Sequence, residues 1–158
     1  MVRPVTLRSV ALAACALVAM GGCTGLAGGR SSEQIDKIVA DADWSAMRDV
    51  NLVIKDYGYH PREIRLRAGV PYRLIIENQG VNHHYFVAPE FFRAVAPRKA
   101  EVPRYAEFKA DLFKSFEIFA AGGRLEFWFV PLDRGTYRAH CHLGGHSDMG
   151  VEGVIVVE

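Results

Sequence analysis

From Val50 onward the chain consists of short apolar runs separated by glycine and proline, and this rhythm limits the folds that it can form. Leu52 and Ile54 occupy alternate positions, and so do Ile64 and Leu66, as in strands that bury one face. Short strands joined by Gly/Pro turns predict an all-β fold, a sandwich or a barrel. Further runs of this kind lie at residues 72–77, 125–130, 136–141 and 154–157.

The composition narrows the choice further. A chain of 158 residues is long enough for one domain with a single core. With 50% hydrophobic and 23% charged residues, it is neither a disordered chain nor a multi-span membrane protein. The formal net charge is +1 and no basic cluster is present, so we expect no nucleic-acid partner.

The first 22 residues have the pattern of a secretory signal peptide. Arg3 and Arg8 precede an apolar run over residues 10–20, which is too short to span a bilayer. Residues 23–49 are expected to form a tether and an N-terminal arm. The apolar spacing over residues 33–47 fits either a helix capped by Ser32 or an extended arm.

Met20-Gly-Gly-Cys23 resembles the lipobox of bacterial lipoproteins, in which the cysteine is acylated. We therefore predict a lipid anchor at Cys23 and a periplasmic or other extracytoplasmic location. Ordinary cleavage between Gly21 and Ala27 is the alternative. In either case the mature protein would lie outside the cytoplasm. With Cys15 removed and Cys23 acylated, Cys141 is the remaining thiol, and a metal would explain a lone thiol in that location.

Two short segments, residues 82–86 and 140–151, carry the candidate metal ligands. Strand alternation places Cys141 on the same inward face as Ala139. His146 follows Cys141 with Cys-x4-His spacing, and a second imidazole would come from the His83-His84 pair. A thiolate with two imidazoles and a weak axial thioether is the ligand field of blue-copper electron-transfer sites.

The motif Gly135-Thr-Tyr-Arg-Ala-His-Cys141, with Gly145-His146 after it and Gly153-Val-Ile-Val-Val157 at the end, resembles the cupredoxins, the type 1 blue copper proteins. The resemblance covers residues 50–158. It implies a Greek-key β-sandwich with one type 1 copper. Residues 89–119 have no counterpart in small cupredoxins and are expected to be a partly helical insertion, helical over residues 89–96. Its aromatic side chains are expected to pack in the core: Phe91, Phe92, Phe108, Phe113, Phe116 and Phe119.

Carried over residue by residue, the resemblance implies Cys141 and His146 as copper ligands. The family pattern, a histidine, one residue and then a hydrophobe, fits both His84-Tyr-Phe and His83-His-Tyr. We favour His84, which shares a strand face with Phe86, and His83 is the alternative. Met149 is the axial candidate, three residues after His146, and a site without it, capped by Val151, is the alternative.

Other polar residues in or near these two segments are not expected to bind the copper. His140 and His142 are interpreted as surface groups rather than ligands of a second metal. Asn78 or Asn82 could donate hydrogen bonds that tune the sulfur. The predicted function is electron transfer with redox proteins of the cell envelope, by a carrier rather than a catalyst. The alternatives are copper storage, delivery or tolerance, or a small copper oxidoreductase.

Overall fold

The computed structural model describes residues 29–120, 122–143 and 151–158, and strands dominate this part of the chain. Its helices are α1 (Ser32–Asp41), a short 3-10 helix (Trp44–Ala46) and α2 (Pro89–Arg93). Its strands are β1 (Arg48–Lys55), β2 (Gly58–His60), β3 (Glu63–Leu66), β4 (Tyr72–Asn78), β5 (His84–Val87), β6 (Val95–Val102), β7 (Ala106–Phe108), β8 (Ser115–Ile118), β9 (Arg124–Pro131), β10 (Gly135–His140) and β11 (Glu152–Val157).

The strands form two sheets that enclose one core. The first has the order β2-β1-β4-β9-β6-β7 and the second the order β3-β11-β10-β5-β8. Leu52 and Phe127 from the first sheet share a buried cluster with Phe86 and Ile155 from the second. The predicted β-sandwich is confirmed, because apolar residues at alternate positions leave each sheet one face that must be covered.

Residues 89–119 are less helical than their apolar spacing indicates. The helix α2 ends at Arg93, and β6 begins at Val95. Val95 and Ala96 pair with Pro131 and Val130 of β9, so the sheet takes residues that the spacing assigns to a helix. The segment then adds β7 to the edge of the first sheet and β8 to the edge of the second.

Most aromatic side chains of this segment lie in the core, as expected. Phe91, Phe92 and Phe116 are buried, and Phe113 packs against them. The expectation is wrong for Phe108 and Phe119, which are 50% and 70% exposed.

The N-terminal arm is helical rather than extended. The side chain of Ser31, not Ser32, accepts the backbone N–H of Gln34, whose side chain in turn accepts the N–H of Ser31. Ile35 is buried against Ala96 and Val130, so α1 covers the outer face of the first sheet. No helix in the described ranges is both long and apolar enough to cross a membrane. The predicted signal peptide and Cys23 lie outside the described residues.

Candidate metal centre

Strand β10 delivers Cys141 to the interior at one end of the sandwich. Along this strand Ala139 is buried and Arg138 is exposed, so the next inward position is Cys141, one residue beyond the strand. Cys141 is fully buried, and its backbone N–H donates to the carbonyl oxygen of Val151 at 2.9 Å. The predicted inward direction of the thiol is confirmed.

Strand β5 brings a histidine to the same end. His84 and Phe86 share the buried face of β5 and are both fully buried, whereas His83 lies just before the strand and is exposed. Strand β5 runs antiparallel to β10, with His140 opposite Val87. The last residues of β10 and β5 are therefore opposite each other, and the same register puts Cys141 opposite Phe86. Cys141 then shares the face of Phe86 and His84, and not that of His83.

Tyr85 connects the two strands at the sulfur. Its backbone N–H donates to Sγ of Cys141 at 3.4 Å, within the range of a hydrogen bond to sulfur. Its carbonyl oxygen accepts the hydroxyl of Tyr59, which is buried. The backbone next to His84 is thus held on both sides, so the sulfur and the imidazole keep a fixed relation.

A carboxylate that the sequence does not single out contacts the buried histidine. Asp56 lies in the turn after β1, and its Oδ1 is 3.2 Å from Nε2 of His84. Hydrogen bonds from the Val81 N–H above all, and also from His84 and Asn82, lower the pKa of Asp56 to about 2. An ionised carboxylate only accepts hydrogen bonds, so Nε2 of His84 carries the proton. Nδ1 is then the ring nitrogen with which His84 would bind a metal.

The two asparagines do not have the role expected of them. The side chain of Asn78 donates to the carbonyl oxygens of Asn82 and Ile118, and it accepts the N–H of Gly80. The side chain of Asn82 donates to Asp56. Both asparagines therefore hold the chain between β4 and β5, and the hydrogen bond that reaches the sulfur comes from the Tyr85 backbone.

The histidines on either side of Cys141 lie on its outer side. His140 is partly buried, and this burial, followed by the charge of Arg138, lowers its pKa. His142 is exposed, with its ring centroid 4.1 Å from that of Tyr85. The exposure of His142 and the partial exposure of His140 agree with the interpretation of both residues as surface groups.

The other predicted ligands, His146 and Met149, lie outside the described residues. Across residues 29–120, 122–143 and 151–158 no set of three His, Cys, Asp or Glu side chains could hold a metal ion. Of the predicted ligands, this part of the chain brings Cys141 and His84 to the same end of the sandwich. Val151, the alternative to Met149, is fully buried, and its carbonyl oxygen accepts the N–H of Cys141.

Comparison with known proteins decides the family. The family model described as "Cupredoxin-like domain" matches residues 30–157, which is most of the chain. The chain belongs to the cupredoxin-like family. No curated protein matches this cupredoxin.

Solved structures share this cupredoxin fold at low sequence identity. Auracyanin B is 17% identical with a TM-score of 0.50, and the match covers 70% of this chain and 88% of that one. Reduced auracyanin from Roseiflexus castenholzii is 14% identical with a TM-score of 0.50, over 74% and 98% of the two chains. A multicopper oxidase from Campylobacter jejuni is 14% identical with a TM-score of 0.51, over 70% of this chain but 30% of the oxidase.

The donors of this cupredoxin fit copper. A thiolate is a soft ligand that suits Cu(I), and imidazole suits copper in both oxidation states. Both donors are fully buried, and Cys141 belongs to the same apolar core cluster as Phe86 and Val151.

Proposed function

We propose that this cupredoxin is an electron carrier with one type 1 copper. The observation that carries the proposal is the fully buried thiol of Cys141, which accepts the Tyr85 N–H beside the fully buried His84. The cupredoxin-like family and the fold shared with the auracyanins support it.

The proposed ligands are Cys141, His84, His146 and Met149, which would hold one copper through a thiolate, two imidazoles and a thioether. Bound copper supplies a one-electron Cu(II)/Cu(I) couple. The protein supplies a rigid frame: Cys141 is held by its backbone bond to Val151 and His84 by Asp56. Ligands that move little between the two oxidation states make electron exchange fast, because little reorganisation opposes it.

The same proposal includes a place outside the cytoplasm. The N-terminal pattern supports export and a lipid anchor at Cys23, which would hold the domain at the membrane surface. The partners are then redox proteins of the envelope that give an electron to Cu(II) or take one from Cu(I).

The test is copper loading of the protein, read by visible absorption and paramagnetic resonance. We expect one copper per chain and an intense blue colour that disappears on reduction. His84→Ala should remove the colour, and His83→Ala, its exposed neighbour, should keep it. A protein that binds copper yet stays colourless when oxidised refutes the proposal.

Two further observations would favour the alternative functions. Rapid loss of copper to a mild chelator would favour a delivery protein, and a colour change with azide would favour an enzyme with an open ligand position.

A further inference from the structure

Asp56 is surrounded by donors that hold its carboxylate against His84. Oδ1 accepts from Nε2 of His84 at 3.2 Å, and from Nδ2 and the backbone N–H of Asn82 at 3.1 and 3.2 Å. Oδ2 accepts from the backbone N–H of Val81 at 3.1 Å. These bonds fix the carboxylate in one orientation before any metal binds.

A glycine makes room for this arrangement. A Cβ atom at Gly80 would lie 2.6 Å from Oδ1 of Asp56 and 3.2 Å from Oδ1 of Asn78. The chain therefore approaches the carboxylate more closely than a residue with a side chain allows. The turn after β1 and the segment before β5, which are distant in sequence, meet around one carboxylate.

We propose that Asp56 is a positioning residue for the metal ligand His84 and that its charge lowers the reduction potential of the site; this inference rests on the proposed function. Asp56 accepts the Nε2 proton and so directs Nδ1 to the metal. A carboxylate behind a ligating imidazole fixes the orientation of the ring and raises its basicity, and both effects strengthen metal binding.

The charge balance gives the sign of the effect on the potential. Cu(II), the Cys141 thiolate and the Asp56 carboxylate together have no net charge, and Cu(I) with the same groups has a net charge of −1. The carboxylate therefore stabilises the oxidised form more than the reduced form. His84 is fully buried and the Asp56 side chain is only 22% exposed, so water screens the interaction less than at an open surface.

Two variants separate the charge from the hydrogen bond. Asp56→Asn removes the charge and keeps an acceptor oxygen, and Asp56→Ala removes both. Asp49→Asn is the matched control, because Asp49 lies at the opposite end of β1 and pairs with Arg73. It removes the same charge far from His84.

The first measurement needs no copper. Nitrogen NMR of the His84 ring in the copper-free protein should show the proton on Nε2 in the wild type and in Asp49→Asn. In Asp56→Ala we expect both neutral tautomers. An unchanged single tautomer in Asp56→Ala overturns the positioning role. If Asp56→Ala does not fold, Asp56→Asn is compared with the wild type: the proton should stay on Nε2, but its signal should move because a neutral amide oxygen accepts more weakly than a carboxylate. An unmoved signal counts against the role.

The second measurement is the equilibrium of the copper-loaded protein with ferrocyanide, which gives one electron to Cu(II) and becomes ferricyanide. Asp56→Asn should shift the equilibrium constant toward Cu(I) by at least about tenfold. A tenfold shift is a rise of about 59 mV in the reduction potential of a one-electron couple. Asp49→Asn should shift the equilibrium constant by less than about twofold. Equal shifts in the two variants refute the inference while the proposed function stands. A wild type that is never blue refutes the function, and the tautomer result still decides the positioning role.

Discussion

The backbone nitrogen of Tyr85 lies 3.4 Å from the sulfur of Cys141, although the two residues are 56 positions apart in the chain. Strand β5 provides the N–H and strand β10 leads to the thiol. Because the ring of Tyr85 also packs against His142, this one residue contacts both the buried sulfur and an exposed imidazole beside it. Tyr85 thus lies between the candidate metal centre and the surface.

We predict that Cys141→Ala destabilises the copper-free protein, because it removes the acceptor of the Tyr85 N–H. A buried N–H without an acceptor costs about 1–3 kcal/mol, so the variant should be less stable by about that amount. Hydrogen exchange of the Tyr85 amide should become faster. The amide of residue 141, which donates to Val151, should stay protected and is the internal control. A Tyr85 amide that is equally protected in both proteins would contradict the assigned bond.

We predict that Phe127→Ala destabilises the whole sandwich. Phe127 is fully buried, stacks on Phe129 with ring centroids 4.9 Å apart, and contacts Phe92 and Phe116 from residues 89–119. Loss of such a ring costs about 3–5 kcal/mol in denaturant unfolding. Phe119→Ala, at a 70% exposed position, should change the stability by less than about 0.5 kcal/mol. Similar losses in both variants would mean that these aromatic contacts do not support the core.

We predict that Gly80→Ala disturbs the copper site without touching a proposed ligand. The new methyl group would meet Oδ1 of Asp56 at 2.6 Å, so the carboxylate must leave the position in which it contacts His84. We expect weaker Cu(II) binding, by about tenfold, as is typical when the partner of a ligating histidine is removed. Gly29→Ala is the control, since a Cβ atom there meets nothing. Unchanged copper affinity would show that the position of Asp56 does not matter.

We predict that acid weakens the attachment of the N-terminal arm. Arg30 binds Asp133 through two hydrogen bonds, and the bond to Arg30 holds the pKa of Asp133 below its ordinary value of 3.8. A carboxyl whose pKa is lower in the folded protein adds stability above its unfolded pKa, and that stability disappears as the pH falls through the folded pKa. Both side chains are partly exposed, at 33% and 51%, so we expect only about 0.2–1 kcal/mol.

The measurement is the unfolding free energy of the wild type and of Asp133→Asn from neutral to strongly acidic pH. The two proteins should differ at pH 7 and converge in acid, and added salt should reduce the difference. Asp36→Asn, at an exposed position on α1, controls for the loss of one negative charge. A difference that persists at the acidic end would exclude the ion pair as its cause.

Most of the sandwich follows from patterns that are local in the sequence. Leu52 and Ile54, like Ile64 and Leu66, are buried at the alternate positions that predict strands. The same alternation puts Cys141 and His84 on inward faces. Local patterns predict less well where the helical and the strand spacing of apolar residues overlap. Residues 89–96 have helical spacing, but Val95 and Ala96 form a strand because they pair with β9.

The contribution of Asp56 could not be predicted, because the contact joins positions 28 residues apart through a turn. In the sequence Asp56 lies two residues before Gly58, and an aspartate close to a glycine is the ordinary composition of a turn. The supporting hydrogen bonds were instead expected from Asn78 or Asn82, which are closer to His84 in the chain. Only the folded arrangement shows that Asn82 binds Asp56 and that Asp56 binds His84.

The bond between the Cys141 N–H and the Val151 carbonyl has a consequence for how the molecule can change over evolution. It ties together the two ends of the connection between β10 and β11, and the strands on either side are already paired. Insertions, deletions or whole replacements between those ends therefore need not alter the scaffold. Variation in this connection would change the proposed ligands that it carries, while the paired strands on either side are inherited unchanged.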